Sequence, residues 1–231
     1  MTASRPAPRA LALPALALLM VAAPLAVPDA ARAQTPTTTI ENASDEVVLE
    51  SYDDGALLAP EASSGTGAIP ASGSGARMMW YPGKAAFRAG FVDSDEWDDK
   101  NVGNQSMAFG RETTASGAQS TAMGGGTAAT GEEATAMGGR TSASGDQSTA
   151  MGGQTTASGQ ESTAMGDNTT ASGPYSTAMG NSTTASGQDA TAMGFLTTAS
   201  GRYSTAMGFR TTASGRYSTA MGFRTDRKSV V

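Results

Sequence analysis

Five carboxylates around one tryptophan, Trp97, form the densest group of charged side chains in the sequence. Carboxylate oxygens are hard ligands that bind Ca²⁺, but this run lacks the central glycine and the distal glutamate of an EF-hand loop. We interpret the segment as a solvated acidic turn, and a calcium site is the less favoured alternative. The carboxylates belong to Asp93, Asp95, Glu96, Asp98 and Asp99.

The remaining composition offers little to catalysis. The 231 residues include no His and no Cys, and the net charge is −6. Catalytic triads that use histidine, imidazole or thiolate metal sites, cysteine nucleophiles and disulfides are therefore excluded. An acidic chain is also a poor partner for the phosphates of nucleic acids. We predict a protein that is not an enzyme, has no cofactor and does not bind nucleic acid.

A second group of side chains favours binding rather than catalysis. Aromatic and arginine residues alternate near the C-terminal end, where stacked rings beside guanidinium groups form a candidate surface for matrix proteins or glycans. The alternative is a packing collar at the end of this region, where a different part of the chain begins. The residues are Phe195, Arg202, Tyr203, Phe209, Arg210, Arg216, Tyr217, Phe223 and Arg224.

The first 33 residues have the pattern of an export signal. Arg5 and Arg9 precede an apolar stretch, and Ala31-Arg32-Ala33 has the small-residue pattern of a cleavage site. We predict cleavage between Ala33 and Gln34. The uninterrupted apolar run is too short for a membrane span, which needs about 20 residues.

Two short regions follow the signal. Residues 34–75 are predicted to be a flexible segment that contains one short strand, within 46–52, and a linker from Pro60 to Gly75. Residues 76–102 are predicted to form a hairpin that turns at Pro82-Gly83 and caps the next domain. Trp80, Tyr81 and Phe87 would pack over the start of that domain.

Residues 103–225 are a repeat. A glycine occurs at every seventh position from Gly103 to Gly222, and two kinds of heptad alternate, so the true unit has 14 residues. One kind reads Ser-Thr-Ala-Met-Gly and the other Thr-Thr-Ala-Ser-Gly. A glycine in each heptad opposes a coiled coil, and collagen needs glycine at every third position. The period predicts a solenoid of stacked strands.

Strand alternation divides each coil into two faces. In the first kind of heptad Ser148, Ala150 and Gly152 share one face, and Thr149 and Met151 share the other. We expect the faces made of small residues to line a very narrow interior. The outer apolar stripe is too large to leave in solvent, so we expect it to pack against other chains. It consists of Phe109, Met123, Met137, Met151, Met165, Met179, Met193, Met207 and Met221.

The alternating Ser-Thr-Ala-Met-Gly and Thr-Thr-Ala-Ser-Gly motifs resemble the head repeats of trimeric autotransporter adhesins, the YadA-like head domain. This resemblance implies an all-β fold, a left-handed parallel β-roll, packed as a homotrimer, and a role as a cell-surface adhesin head. The segment from Met78 to Gly90 also resembles one that precedes such repeats in exported bacterial proteins, some of which end in a tail-fibre-type domain.

We therefore expect a trimeric adhesin head that attaches to an extracellular matrix protein, a glycan or another cell. The alternatives are a structural, tail-fibre-like spike without a receptor and, less favoured, an ice-binding solenoid. Residues 226–231 break the repeat and resemble a translated sequencing adapter, so we interpret them as an artefactual tail. We expect the protein at the outer membrane if an anchor lies beyond this sequence, and secreted otherwise.

Overall fold

The computed structural model describes residues 38–41, 47–51, 57–58, 69 and 71–228. The predicted signal segment, its cleavage site at Ala33 and Gln34, and most of the predicted linker lie outside these residues. The first described strands form a small antiparallel sheet in the order β1-β2-β3. They are β1 (Thr38–Glu41), β2 (Val47–Ser51) and β3 (Leu57–Leu58). The described residues of this region therefore include three strands, where the sequence predicts one.

The predicted hairpin is present. Strand β4 (Gly75–Tyr81) pairs antiparallel with β5 (Ala86–Val92), and a short 3-10 turn at Pro82–Lys84 connects them. Proline suits the start of this turn because its φ is already fixed near the required value. A second 3-10 turn, Asp99–Asn101, leads into the repeats.

The repeats form a parallel β-solenoid with 14-residue coils, which confirms the predicted architecture. Each coil contains a five-residue strand and a two-residue strand. The long strands are β6 (Met107–Arg111), β8 (Thr121–Gly125), β10 (Thr135–Gly139), β12 (Thr149–Gly153), β14 (Thr163–Asp167), β16 (Thr177–Asn181), β18 (Thr191–Phe195), β20 (Thr205–Phe209) and β22 (Thr219–Phe223). The short strands are β7 (Thr114–Ala115), β9 (Ala128–Ala129), β11 (Ser142–Ala143), β13 (Thr156–Ala157), β15 (Thr170–Ala171), β17 (Thr184–Ala185), β19 (Thr198–Ala199), β21 (Thr212–Ala213) and β23 (Asp226–Arg227).

Two ladders run along the solenoid. The long strands and the hairpin form an eleven-stranded sheet, in which β5 is parallel to β6 and β4 is the edge strand; the short strands form a nine-stranded sheet. Identical positions of successive coils are paired, as Met137 is with Met151. The short-strand ladder continues through Asp226 and Arg227, although their sequence departs from the repeat. Backbone pairing does not depend on side-chain type, and this accounts for the continuation.

The interior is as narrow as the sequence predicts. Ala150 and Ala157, one from each strand of a coil, are fully buried, and Ser148 and Thr155 are buried beside them. The core is therefore a column of alanines with flanking serines and threonines. The hydroxyls of Ser148 and Thr155 have no hydrogen-bond partner in the described part of the chain.

The heptad-closing glycine does not lie on the inner face of the long strand as predicted. Gly152 is exposed and has a φ of +123°. A Cβ there would point along the solenoid axis and overlap the carbonyl oxygen of Gly166 in the next coil. The residue is glycine because successive backbones approach closely and because L side chains rarely adopt this φ.

The turns are made by other residues. Every seventh residue from Gln105 to Arg224, the second variable residue of each heptad, has a φ between +51° and +62°. Gly126 is the one glycine in this series. Each corner thus places a residue in the left-handed region, where non-glycine residues are uncommon.

A tryptophan and an arginine close the N-terminal end of the core, but Trp80 is not that tryptophan. Trp97 is fully buried, its indole N–H donates to the carbonyl of Thr113 over 2.8 Å, and the guanidinium of Arg77 lies over its ring. Trp80 lies on the exposed outer face, Tyr81 is buried, and Phe87 packs 5.4 Å from Phe109 between ring centroids. Trp80 therefore shares the outer face with Phe87, its cross-strand partner, and does not fill the core.

Arg88 fills the interior of the first layer. It is fully buried, and its guanidinium donates to the carbonyls of Phe87, Ser106 and Ala115 and to the hydroxyl of Ser106. Burial lowers the pKa of Arg88 to about 10, so the group remains charged at neutral pH.

Among the residues described, no helix has the length and apolar character needed to cross a membrane.

Candidate interaction surfaces

The predicted apolar stripe lies on the outer face of the eleven-stranded sheet. Because the long strands pair in register, each methionine lies directly above its counterpart, as Met151 does above Met137. The side chains of the central coils are half-buried by these neighbours. Met123 and Met221 are 41% and 58% exposed. The result is a continuous apolar ridge with its outer edge in solvent.

The hairpin widens this ridge. Met78 and Ala89 continue the row of Phe109, and Trp80 and Phe87 continue the neighbouring row through Met107. Met78 is 76% exposed and Met107 44% exposed. Sequence reasoning missed this extension. Met107 occupies the position of the outer threonines of the later coils, 14 residues before Thr121, and that spacing would have indicated it.

The residues of the candidate ligand-binding surface form two separate columns, and each column follows a different corner of the coil. At the corner after the long strand, Phe195, Phe209 and Phe223 stack with ring centroids 5.2 and 5.1 Å apart. The guanidinium carbons of Arg210 and Arg224 lie 5.4 and 5.2 Å from the rings of Phe209 and Phe223. We call the three phenylalanines and these two arginines the phenylalanine column.

The other corner, which follows the short strand, carries the tyrosine column. Tyr203 and Tyr217 stack with centroids 4.9 Å apart and planes inclined by 6°. Arg202 and Arg216 each lie 4.8 Å from the centroid of the tyrosine that follows them. The sequence predicts the stacking, and the structure shows that the predicted set is divided between two corners.

The arginines of the two columns differ from the cations that pair with the acidic turn. None of the four makes an ion pair with a described carboxylate, whereas Lys84, Lys100 and Arg111 pair with Asp99, Asp95 and Asp93. Residues 190–225 contain four arginines and no acidic residue. Residues 103–189 contain seven acidic residues and two arginines. Charge is therefore separated along the solenoid, with the uncompensated positive charge in the last coils.

The carboxylates of the acidic turn have hydrogen-bond donors and cations of the protein itself as partners. The hydroxyl of Tyr81 donates to Asp99 over 2.7 Å, and this bond with Lys84 lowers the pKa of Asp99. The same bond raises the pKa of Tyr81 to about 12. Asp98 accepts from the backbone N–H of Gly73. Within the described residues no group of three or more acidic side chains is arranged to hold a metal ion, so the structure gives the calcium alternative no support.

The comparisons with known proteins agree with this geometry. The family model described as the YadA head domain repeat (2 copies) matches residues 102–127, 129–155, 157–183, 185–211 and 199–225, more than half of the chain. A comparison with curated proteins gives no significant match. The matched residues coincide with the coils of the solenoid, and the chain belongs to the YadA head repeat family.

Proposed function

We propose that the protein is the head of an exported, homotrimeric adhesin, in which the coils are a rigid support and catalysis has no part. The observation that carries this proposal is the apolar ridge on the outer face of the long strands. Membership of the YadA head family supports the same assembly and the same role. An isolated chain would expose the ridge to water, and packing against two further copies would cover it.

The ridge is large enough to drive association. Full burial of a methionine side chain contributes about 1.5–3 kcal/mol. Because these side chains are already half-buried in one chain, about 1 kcal/mol remains for each. Eight methionines and Phe109 would then contribute on the order of 10 kcal/mol per chain, before the cost of association. The predicted interface therefore consists of the stripe from Phe109 to Met221, extended by the hairpin.

Size-exclusion chromatography with light scattering tests the assembly. We expect the purified chain to have three times the mass of one chain. Two charges at the centre of the ridge, Met151→Glu with Met165→Glu, should reduce the mass to that of one chain. A matched control, Thr156→Glu with Thr170→Glu, places two charges on the outer face of the short strands in the same coils and should leave the trimer intact.

A monodisperse monomer of the unmodified chain would contradict the trimer, as would an intact trimer of the Met151/Met165 variant. The adhesive role needs a separate test. We expect beads coated with the trimer to attach to surfaces that carry extracellular matrix proteins, glycans or cells, and uncoated beads not to attach. A stable trimer that attaches to none of these surfaces would favour a structural spike.

Export completes the proposal. Cleavage between Ala33 and Gln34 would give a mature chain that begins at Gln34, and the adhesive role requires that this chain reach the cell surface. Mass spectrometry of the N-terminal peptide of the protein released by an exporting host tests the site. A peptide that still contains the residues before Ala33 would contradict it.

A further inference from the structure

We propose, on the basis of the adhesin function proposed above, that the ligand is a linear acidic polysaccharide, and that the last coils bind its repeated sulfate or carboxylate groups. The guanidinium groups of Arg202, Arg210, Arg216 and Arg224 are the binding groups. The aromatic rings of the phenylalanine and tyrosine columns hold these groups in place. This assignment names the chemical class of the ligand and the part of the solenoid that binds it.

The positive charge of the last coils is unbalanced. Successive coils are separated by about 4.8 Å, so Arg202 and Arg216 repeat along one corner and Arg210 and Arg224 along the other at close spacing. Like charges at this distance repel each other, and no described carboxylate pairs with any of them. Asp226, in the last short strand, lies 3.9 Å from Lys228, and the other acidic residues of the solenoid lie in earlier coils. An external anion with several charges would remove the repulsion that the chain itself leaves in place.

The four guanidinium groups are held in fixed positions. Each lies over an aromatic ring at 4.8 to 5.4 Å. The rings are fixed by stacking, with Phe209 between Phe195 and Phe223. An arginine that is held against a ring loses less side-chain freedom when it binds a ligand than an arginine whose side chain moves freely in solvent. Its planar fork matches the oxygens of a carboxylate or sulfate group.

The stacked rings distinguish between classes of polyanion. Proteins that bind single-stranded nucleic acids stack the bases on open aromatic faces. The faces of Phe209 are covered by Phe195 and Phe223, and Tyr203 and Tyr217 cover each other. Six of the ten ring faces lie inside these stacks, so few faces remain on which bases could stack. Recognition therefore depends on charge and on the guanidinium fork, which favours an acidic glycan over a nucleic acid and over a neutral glycan.

The test measures binding of the full chain to immobilised heparin oligosaccharide, with neutral dextran, poly-glutamate and an oligo(dT) strand as comparison probes. We expect the heparin oligosaccharide to bind most tightly and dextran not to bind. Raising the salt concentration from about 50 mM to about 200 mM should weaken binding by roughly ten-fold or more, since several counterions are released. Binding that does not change with salt, or tighter binding to oligo(dT) or poly-glutamate, would overturn the assignment.

Substitution identifies the site. The variant with Arg202, Arg210, Arg216 and Arg224 all changed to Gln should lose at least ten-fold in affinity. The corresponding Lys variant should lose less than the Gln variant, because lysine keeps the charge but not the planar fork. Arg140→Gln is the matched control, because Arg140 occupies the same corner position as Arg210 and Arg224 but lies among the acidic coils. Unchanged binding by the Gln variant, or an equal loss with Arg140→Gln, would overturn the site.

The result of the heparin-binding test can be distinguished from the result of the trimer test. The columns are complete within a single chain, so even the Met151/Met165 variant should bind heparin oligosaccharide if it is monomeric, though with lower avidity. Failure of the trimer would therefore leave this test readable. Circular dichroism before and after substitution shows whether the Gln variant is folded, and if it is not, the salt dependence of the unmodified chain decides.

Discussion

Gly138 stacks so closely on Gly152 of the next coil that a Cβ on Gly138 would overlap the carbonyl oxygen of Gly152 and lie 2.9 Å from its carbonyl carbon. Gly138 also has a φ of +124°. Its neighbour Gly139 has open space around the same position and no positive φ. Two adjacent glycines thus have opposite structural requirements.

Gly138→Ala should therefore lower the free energy of unfolding by about 3 kcal/mol or more, because it combines a backbone overlap with an unfavourable φ. Gly139→Ala should leave it unchanged or raise it by about 0.4–1 kcal/mol, since alanine has less freedom in the unfolded chain. Denaturation by guanidinium chloride measures both. Equal effects of the two substitutions would contradict the close stacking at Gly138.

The two tryptophans give a second matched pair. Trp97→Phe removes the hydrogen bond to the buried carbonyl of Thr113 and leaves space next to Arg77, so it should lower the free energy of unfolding by about 2 kcal/mol or more. Trp80→Phe keeps an aromatic ring on the outer face and should change stability by less than about 0.5 kcal/mol. Thermal or chemical denaturation tests the order. A larger effect at Trp80 would show that Trp97 does not close the core.

The repeat made the solenoid predictable, and strand alternation correctly assigned Ala150 and Ala157 to the interior and Met151 to the outside. It failed at Gly152, because alternation holds only for an extended backbone and a φ of +123° turns the residue out of the pleat. The burial of Trp97 was not predicted, for another reason. The carboxylates on either side of Trp97 dominate the local pattern, but the tryptophan points into the end of the core while Asp95 remains at the surface.

The candidate ligand surface could be predicted only in part. The 14-residue spacing indicates stacks, since equivalent positions of successive coils lie one above the other. It also separates Phe209 from Tyr217, which are eight residues apart and therefore follow different heptads of the coil. It does not indicate the backbone conformation by which each coil turns. The turns follow left-handed residues such as Arg210 and Tyr217, and no residue type common to these positions indicates them.

Oxidation of the methionine ridge should weaken the proposed trimer. Methionine sulfoxide is polar, so its burial costs free energy that the thioether does not. We expect treatment with hydrogen peroxide to lower the mass measured by light scattering from that of a trimer toward that of one chain. A variant with leucine in place of Met137, Met151, Met165 and Met179 should resist the treatment. An oxidised trimer that is as stable as the untreated one would contradict the burial of the ridge.

Buried hydroxyls at equivalent positions differ in their hydrogen bonds. The Oγ of Ser120 donates to the carbonyl of Gly117 over 2.7 Å, whereas the Oγ of Ser148, in the same position two coils later, has no partner in the described region. Ser120→Ala should lower the free energy of unfolding by about 1 kcal/mol. Ser148→Ala should leave it unchanged or raise it, because an unsatisfied hydroxyl is costly to bury. A denaturation series in which Ser148→Ala is the more harmful substitution would refute this difference.

Two glutamines of one coil test the left-handed corners. Gln154 has a φ of +51°, and Gln160 is exposed at the next corner without a positive φ. Valine has a branched Cβ that disfavours the left-handed region, so Gln154→Val should lower the free energy of unfolding by about 1–2 kcal/mol. Gln160→Val should change it by less than about 0.5 kcal/mol. Gln154→Asn should be tolerated, since asparagine adopts this conformation more readily than most residues. If both valine variants unfold at the same denaturant concentration, the corner at Gln154 does not require a left-handed residue, and the regular series from Gln105 to Arg224 would lose its structural meaning.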